Sequence, residues 1–241
     1  MRLYDGVIKE ALTLLSSQKG VSLPFKEGWP LADAHAMILR SDMAYELGGE
    51  GLPALGLTLT TTNEELLIED GLTLIGDDLT SIKRDNPYAR VTLLLTDENS
   101  FGEGNELYRK IRAIEAIRFN FYPYGFMNRI STSRGVESVR VSKEAIKRGI
   151  SFASIGTLFN SLYKTKAKAK RVHTFYITEP SFDYSSLFSL VKESEEITKT
   201  IDHILKNVTM DCKSCSLSSV CSEVEELRKL HFSLERRGNQ L

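Results

Sequence analysis

Between Leu55 and Thr60 the chain alternates, with Leu55, Leu57 and Leu59 on one side and Gly56, Thr58 and Thr60 on the other, the period of a half-buried strand. Further strand-type runs follow, and no regular strand–helix alternation links them; that irregularity constrains the fold more than any other feature. Leu72 to Ile75 predicts a short strand closed by Gly76-Asp77, and Arg90 to Thr96 a central strand rich in Val91, Leu93, Leu94 and Leu95. Glu137 to Val141 and the β-branched, aromatic stretch Val172 to Thr178 predict two more. Helical spacing marks Leu3 to Leu15, Asn105 to Arg118 and Phe152 to Tyr163, and Ser142 is placed to cap a helix opening at Lys143. Ala32 to Glu46 also reads as a helix, stopped by Gly48-Gly49. Asn63 to Leu67 reads as a turn capped by Thr62 or Asn63, and the aromatic run Phe119 to Tyr124 as extended core and turn. From Tyr184 onward only helix and a cysteine segment remain. The expectation is an α+β fold, a mixed sheet with packed helices, rather than a doubly wound parallel sheet. It divides into a helical segment 1–40, an α+β domain 41–180 and a helical segment 181–241.

A formal net charge of −1 gives no electrostatic basis for nucleic acid or a membrane surface, and neither is expected as a partner. Asp5, Lys9 and Glu10 interrupt the first apolar stretch, and no run reaches the roughly 20 apolar residues of a membrane span, so a cytoplasmic protein is expected. Gly102-Glu103-Gly104 lacks the lysine and serine of a phosphate loop, and no Ser-His-Asp or Cys-His constellation can be read.

All three cysteines fall within ten residues, as Cys212-x2-Cys215-x5-Cys221. An odd number so close together is a poor disulfide framework, and two thiolates at knuckle spacing can converge on one metal. A helix expected over Glu223 to Leu234 would place Cys221 just before its N-terminus, where free N–H groups favour thiolate. Three cysteines can hold a [4Fe–4S] cluster with one open iron, or supply three of four ligands to zinc. The plain alternative is three reduced cysteines packing a small helical appendage. The fourth ligand stays open. His231 lies ten residues beyond Cys221, roughly 15 Å away if the chain between is helical; Asp211 is adjacent to Cys212. His173 reads as a core histidine, and His35 and His203 show no partner. Arg134 and Arg140 are the candidates for binding an anionic cofactor through bidentate guanidinium contacts, or for pairing with acidic side chains.

Four stretches resemble the catalytic subunit of acetyl-CoA synthase, in the same order and at comparable spacing. Met43-Ala44-Tyr45-Glu46-Leu47-Gly48-Gly49 is similar to the family's Met-x-x-Glu-(Leu/Phe)-Gly-Gly. Ile68-Glu69-Asp70 through Gly76-Asp77-Asp78-Leu79 is similar to its Ile-Glu-Asp…Gly-Pro-Asp segment. Ser133-Arg134 through Val139-Arg140-Val141-Ser142-Lys143-Glu144-Ala145 resembles its Gln-Arg…Val-Arg-Ile-Ser-Lys-Glu-Ala. Ile155-Gly156 to Phe159, then Val172 to Thr178, resembles a helix followed by a Val-rich strand of the same family. The resemblance covers about residues 40 to 180 and implies the family's middle α+β domain, which adjoins the metal-bearing domain.

The departures qualify what the resemblance implies. The family carries a tryptophan implicated in coenzyme A binding where this chain has Ser138, so weak or no coenzyme A binding is expected. The arginine-rich helix is partly kept, as Arg109, Arg112 and Arg118 before Tyr124-Gly125. The family's nickel–iron–sulfur site uses more cysteines than the three here, including the pair that bears nickel, so nickel is not expected. The implied role is an iron–sulfur accessory or electron-transfer protein of anaerobic one-carbon metabolism, with a protein partner carrying corrinoid, nickel or methyl-transfer chemistry. The alternatives are an enzyme whose open-site cluster handles a small acyl or one-carbon substrate, and a zinc-stabilised interaction module.

Overall fold

The computed structural model describes residues 1–206 and 215–230, apart from 27, 34–35, 99–100, 102–104, 132–134 and 225. In chain order the elements are α1 (Asp5–Ser16), β1 (Val21–Ser22), β2 (Met43–Leu47), β3 (Ala54–Thr61), β4 (Gly71–Ile75), β5 (Tyr88–Leu95) and α2 (Asn105–Ala116), which ends in a 3₁₀ turn, Ile117–Asn120. There follow β6 (Phe126–Ile130), β7 (Glu137–Ser142), α3 (Lys143–Lys147), α4 (Phe152–Lys166), β8 (Arg171–Ile177), α5 (Tyr184–Lys206) and α6 (Ser218–Glu223). The fold is α+β, as the strand patterns require. A five-stranded mixed sheet has the order β1-β4-β8-β5-β3, and a three-stranded antiparallel sheet the order β2-β7-β6. In the larger sheet β3 runs parallel to β5 and β4 parallel to β8, while β5 and β8 meet antiparallel.

β5 is the interior strand its apolar run predicts, with every residue from Tyr88 to Leu95 buried. β3 departs from its half-buried pattern: Gly56, Thr60 and Thr61 are buried as well as Leu55, Leu57 and Leu59. The cause is tertiary, because α5 and β7 both pack against this edge strand. Gly56 is required there, since a Cβ would collide with the Glu137 side chain of β7.

The helix expected over Ala32 to Glu46 is not formed. Described residues between 32 and 42 are turn and coil, and 43–47 form β2, which pairs with β7 through Tyr45↔Val141 and Leu47↔Val139. Met43, Tyr45 and Leu47 are spaced by two, and burying Tyr45 and Leu47 against β7 outweighs the local helical preference. The short strands β1 and β6 also went unread in the sequence, whereas Asn63 does cap its turn, its Oδ1 accepting from Glu65 N at 3.1 Å.

The helices close the core. α4 packs on β4 and β8, where Phe152 stacks on Tyr176 with ring centroids 4.4 Å apart. Ser151 and Ser154 form a capping box at its start. α5 packs on α1, α2 and β3, burying Leu187, Leu190, Val191, Ile197, Ile201 and Ile204. No helix among the described residues is long and apolar enough to cross a membrane.

Candidate functional site

Three polar constellations stand out from this core. The first lies where the two sheets meet. Arg90 on β5 and Glu137 on β7 are almost wholly buried and form a bidentate pair, Nε to Oε1 and Nη2 to Oε2, both at 2.7 Å. Arg90 Nη1 also donates to Thr92 Oγ1 at 2.7 Å, and Thr92 and Thr174 hydroxyls meet at 3.1 Å. Thr174 in turn donates to Asn160 Oδ1 on α4 at 2.7 Å, so a buried polar chain crosses the sheet from β7 to α4. Burial opposes the Arg90 charge, but the Glu137 carboxylate more than offsets it and raises the guanidinium pKa above its ordinary value. Arg118 approaches Glu137 Oε2 at 3.7 Å and borders a cavity of about 260 Å³ with Arg112 and Glu115. Burial raises the Glu115 pKa there. This chain of groups is a structural keystone between sheets.

The second constellation sits on the smaller sheet. Arg140, a candidate for anion binding, directs its Nε to Glu46 Oε2 at 3.3 Å and its Nη1 to the Ile38 carbonyl at 3.4 Å. Arg129, not singled out in the sequence, donates to Glu46 Oε1 at 2.5 Å. Glu46 is thus clamped between two guanidinium groups, and one carboxylate leaves part of their charge for a further anion. Ser138 pairs across the sheet with Arg129 and lines the same open cleft with Glu46, Gly49 and Ser131. Arg134 lies outside the described residues. A separate cavity of about 570 Å³ opens between 32–42 and 121–128, walled by Phe121, Tyr124 and Phe126 and rimmed by Lys143 and Lys147.

The third is the cysteine segment. Cys215 and Cys221 are half-buried and neither is in a disulfide. Cys212, Asp211 and His231 lie outside the described residues, as does His35. The helix expected after Cys221 is present over 226–230, but Cys221 itself lies inside α6, and its N–H is already used, donating to the Leu217 carbonyl at 3.0 Å. A helix N-terminus therefore gives Cys221 no special stabilisation. The segment is tied to the body of the protein. Leu227 is fully buried, Cys221, Val220 and Val224 pack against the core, and Arg2 N donates to Glu226 Oε2 at 2.6 Å.

His203, which showed no partner in the sequence, stands in the last turn of α5 with its Nε2 3.6 Å from Cys215 Sγ. The local signal was a histidine a dozen residues ahead of a knuckle cysteine, a spacing that does not say that the two meet. Among the described residues no three His, Cys, Asp or Glu side chains gather to hold a metal ion. The donor chemistry of the pair, imidazole nitrogen with thiolate sulfur, nevertheless suits zinc and iron. His173, expected in the core, is half-buried on β8 and partnered there. Its Nε2 meets Thr73 Oγ1 at 2.8 Å, its ring stacks on Phe175 at 4.2 Å, and burial lowers its pKa below the ordinary 6.5.

Comparison with curated proteins returns no match. Residues 33–181, by contrast, match the CO dehydrogenase/acetyl-CoA synthase complex beta subunit. That span holds both sheets except β1, the Glu46 clamp and the Arg90–Glu137 pair, and it ends before α5 and the cysteine segment. It takes in all four stretches whose order resembles the synthase and covers well over half of the chain, which therefore belongs to the CO dehydrogenase/acetyl-CoA synthase complex beta-subunit family.

Proposed function

We propose that this chain is a metal-bearing accessory protein of CO dehydrogenase/acetyl-CoA synthase-linked one-carbon metabolism, passing electrons through a [4Fe–4S] cluster held by Cys212, Cys215 and Cys221. The observation that carries the reading is where the cysteine segment sits: α6 packs on α5, and α5 packs on β3 of the family domain. A redox centre there would be fixed to the domain that marks the family. On this reading 41–180 is the family domain, 181–241 carries the metal, and the partner is a protein with corrinoid, nickel or methyl-transfer chemistry. With three cysteines in the whole sequence, the chain does not assemble acetyl-CoA by itself. Purification without oxygen followed by iron, sulfide and zinc analysis tests the proposal. Iron with matching sulfide is expected, and protein that binds no iron after anaerobic reconstitution would sink it. An open-site enzyme is the alternative to a pure electron carrier; turnover with a reduced corrinoid methyl donor would favour it.

A second reading, a zinc-stabilised interaction module, is favoured by one distance. Sulfur at about 2.3 Å and nitrogen at about 2.0–2.1 Å from one tetrahedral zinc lie about 3.6 Å apart, and Cys215 Sγ and His203 Nε2 are 3.6 Å apart. Zinc without sulfide would select it.

Coenzyme A is proposed to bind weakly or not at all. A ring stacked on adenine is worth about 1–3 kcal/mol, or about 5- to 150-fold in affinity, and Ser138 offers none. Low-micromolar affinity by isothermal titration would overturn this and strengthen the enzyme reading.

A further inference from the structure

We infer that the cavity beside Arg118, between α2, α5 and β3, is a binding site for a small monocarboxylate. Arg118 stands in the 3₁₀ turn that ends α2, and its side chain is only 11% exposed. Its Nη1 donates to the Gly56 carbonyl of β3 at 3.3 Å, and its guanidinium lies 5.4 Å from the centre of the Phe119 ring, so the group is held in place. Its Nε, however, is buried and donates to nothing among the described residues. A charged donor left unpaired out of water costs more than an ordinary missing hydrogen bond. The charges around the cavity leave Arg118 over. Glu137, 3.7 Å away, already gives both its oxygens to Arg90 at 2.7 Å. Glu115 pairs with Arg112 at 2.5 Å, Glu195 with Lys199 at 4.0 Å and Asp202 with Lys206 at 2.7 Å. Arg118 acts on Glu115 through space, but less than Arg112 does. Each of these carboxylates thus has its own cation, and one positive charge lacks a full counter-charge. A planar carboxylate can meet the free Nε edge as Glu137 meets Arg90, and its single charge balances the site. The cavity, about 260 Å³, is smaller than the roughly 300–1,000 Å³ of pockets for drug-sized ligands, and Leu57 and Val191 in its wall suit a short alkyl tail.

Propionate is the probe, with propionamide as its neutral isostere and inorganic phosphate as the more highly charged oxyanion. The full chain is prepared as wild type, Arg118→Met and Arg118→Lys in buffer free of other carboxylates and phosphate. Binding is followed by saturation-transfer NMR of the probe's protons, and phosphate, which has no carbon-bound protons, by its displacement of propionate. Wild type is expected to bind propionate and not propionamide. Arg118→Met should weaken propionate about 10- to 150-fold, the ratio for one lost hydrogen bond to a charged group. Arg118→Lys should weaken it too, because an ammonium has no fork to match a carboxylate. Far-ultraviolet circular dichroism matching wild type shows that the loss is not unfolding; if a variant does not fold, the contrast between propionate and propionamide on wild type decides. Propionamide binding as tightly as propionate, phosphate binding more tightly than propionate, or undiminished binding by Arg118→Met would each overturn the assignment. Wild type that binds no propionate would do the same.

Discussion

Replacing Glu137 by Gln keeps the shape of the side chain and removes the negative charge that faces Arg90 at the junction of the two sheets. Arg90 loses its two 2.7 Å charge-assisted bonds and keeps only neutral acceptors, Thr92 Oγ1 at 2.7 Å, Thr58 Oγ1 at 3.3 Å and the Leu57 carbonyl at 3.4 Å. Arg118 loses the carboxylate 3.7 Å away. Both members of the main pair are at most 2% exposed, so water cannot replace the missing charge. Breaking a buried pair from one side costs about 3–5 kcal/mol, a large share of the 5–15 kcal/mol that holds a typical domain folded. With a urea m value of about 3 kcal/mol/M, the upper end for small proteins, the midpoint should fall by roughly 1–1.7 M. Arg90→Met alone should cost a similar amount. Arg90→Met with Glu137→Leu should cost less than either single change, because it leaves no orphaned charge between the two sites. Urea titration followed by far-ultraviolet circular dichroism measures all four proteins. A loss below about 1 kcal/mol in Glu137→Gln, or strict additivity in the double variant, would refute the keystone reading.

His173 makes stability depend on pH. Its folded pKa lies below the ordinary 6.5, so the unfolded chain binds the extra proton first. The contribution is complete above about pH 6.5 and is lost as pH falls from there through the lower folded pKa. His173→Gln should flatten the stability profile on the acid side of pH 6.5; an unchanged slope would show that another group sets it. Ser142→Ala removes the cap whose Oγ accepts from Ala145 N at 3.1 Å, and a loss of about 1 kcal/mol is expected in thermal denaturation. No loss would mean that pairing of β7 with β2 and β6 alone positions α3.

Elements whose burial is dictated locally were legible. β5 and β8 are dense in β-branched, leucine and aromatic residues, Ser142 announces a helix start, and α5 carries a continuous apolar stripe. Elements fixed by a distant partner were not. Met43 to Leu47 reads as well in a helix as in a strand until Val139 and Val141 of β7, nearly a hundred residues on, supply the pairing. Arg90 looked like the polar edge of an apolar run, because nothing near it in sequence says that Glu137 lies beneath it.

The candidate metal centre divides along the same line. The cysteine spacing is a local signal and could be read. Its neighbour on α5 could not, since a histidine in the last turn of a helix says nothing about where the chain returns. What fixes the return is the packing of α6 on α5 and the burial of Leu227, and those depend on apolar residues rather than on ligands. The body of the protein therefore holds His203 and Cys215 side by side. Both residues lie outside the matched span, on a segment held to it by the packing of α5 on β3.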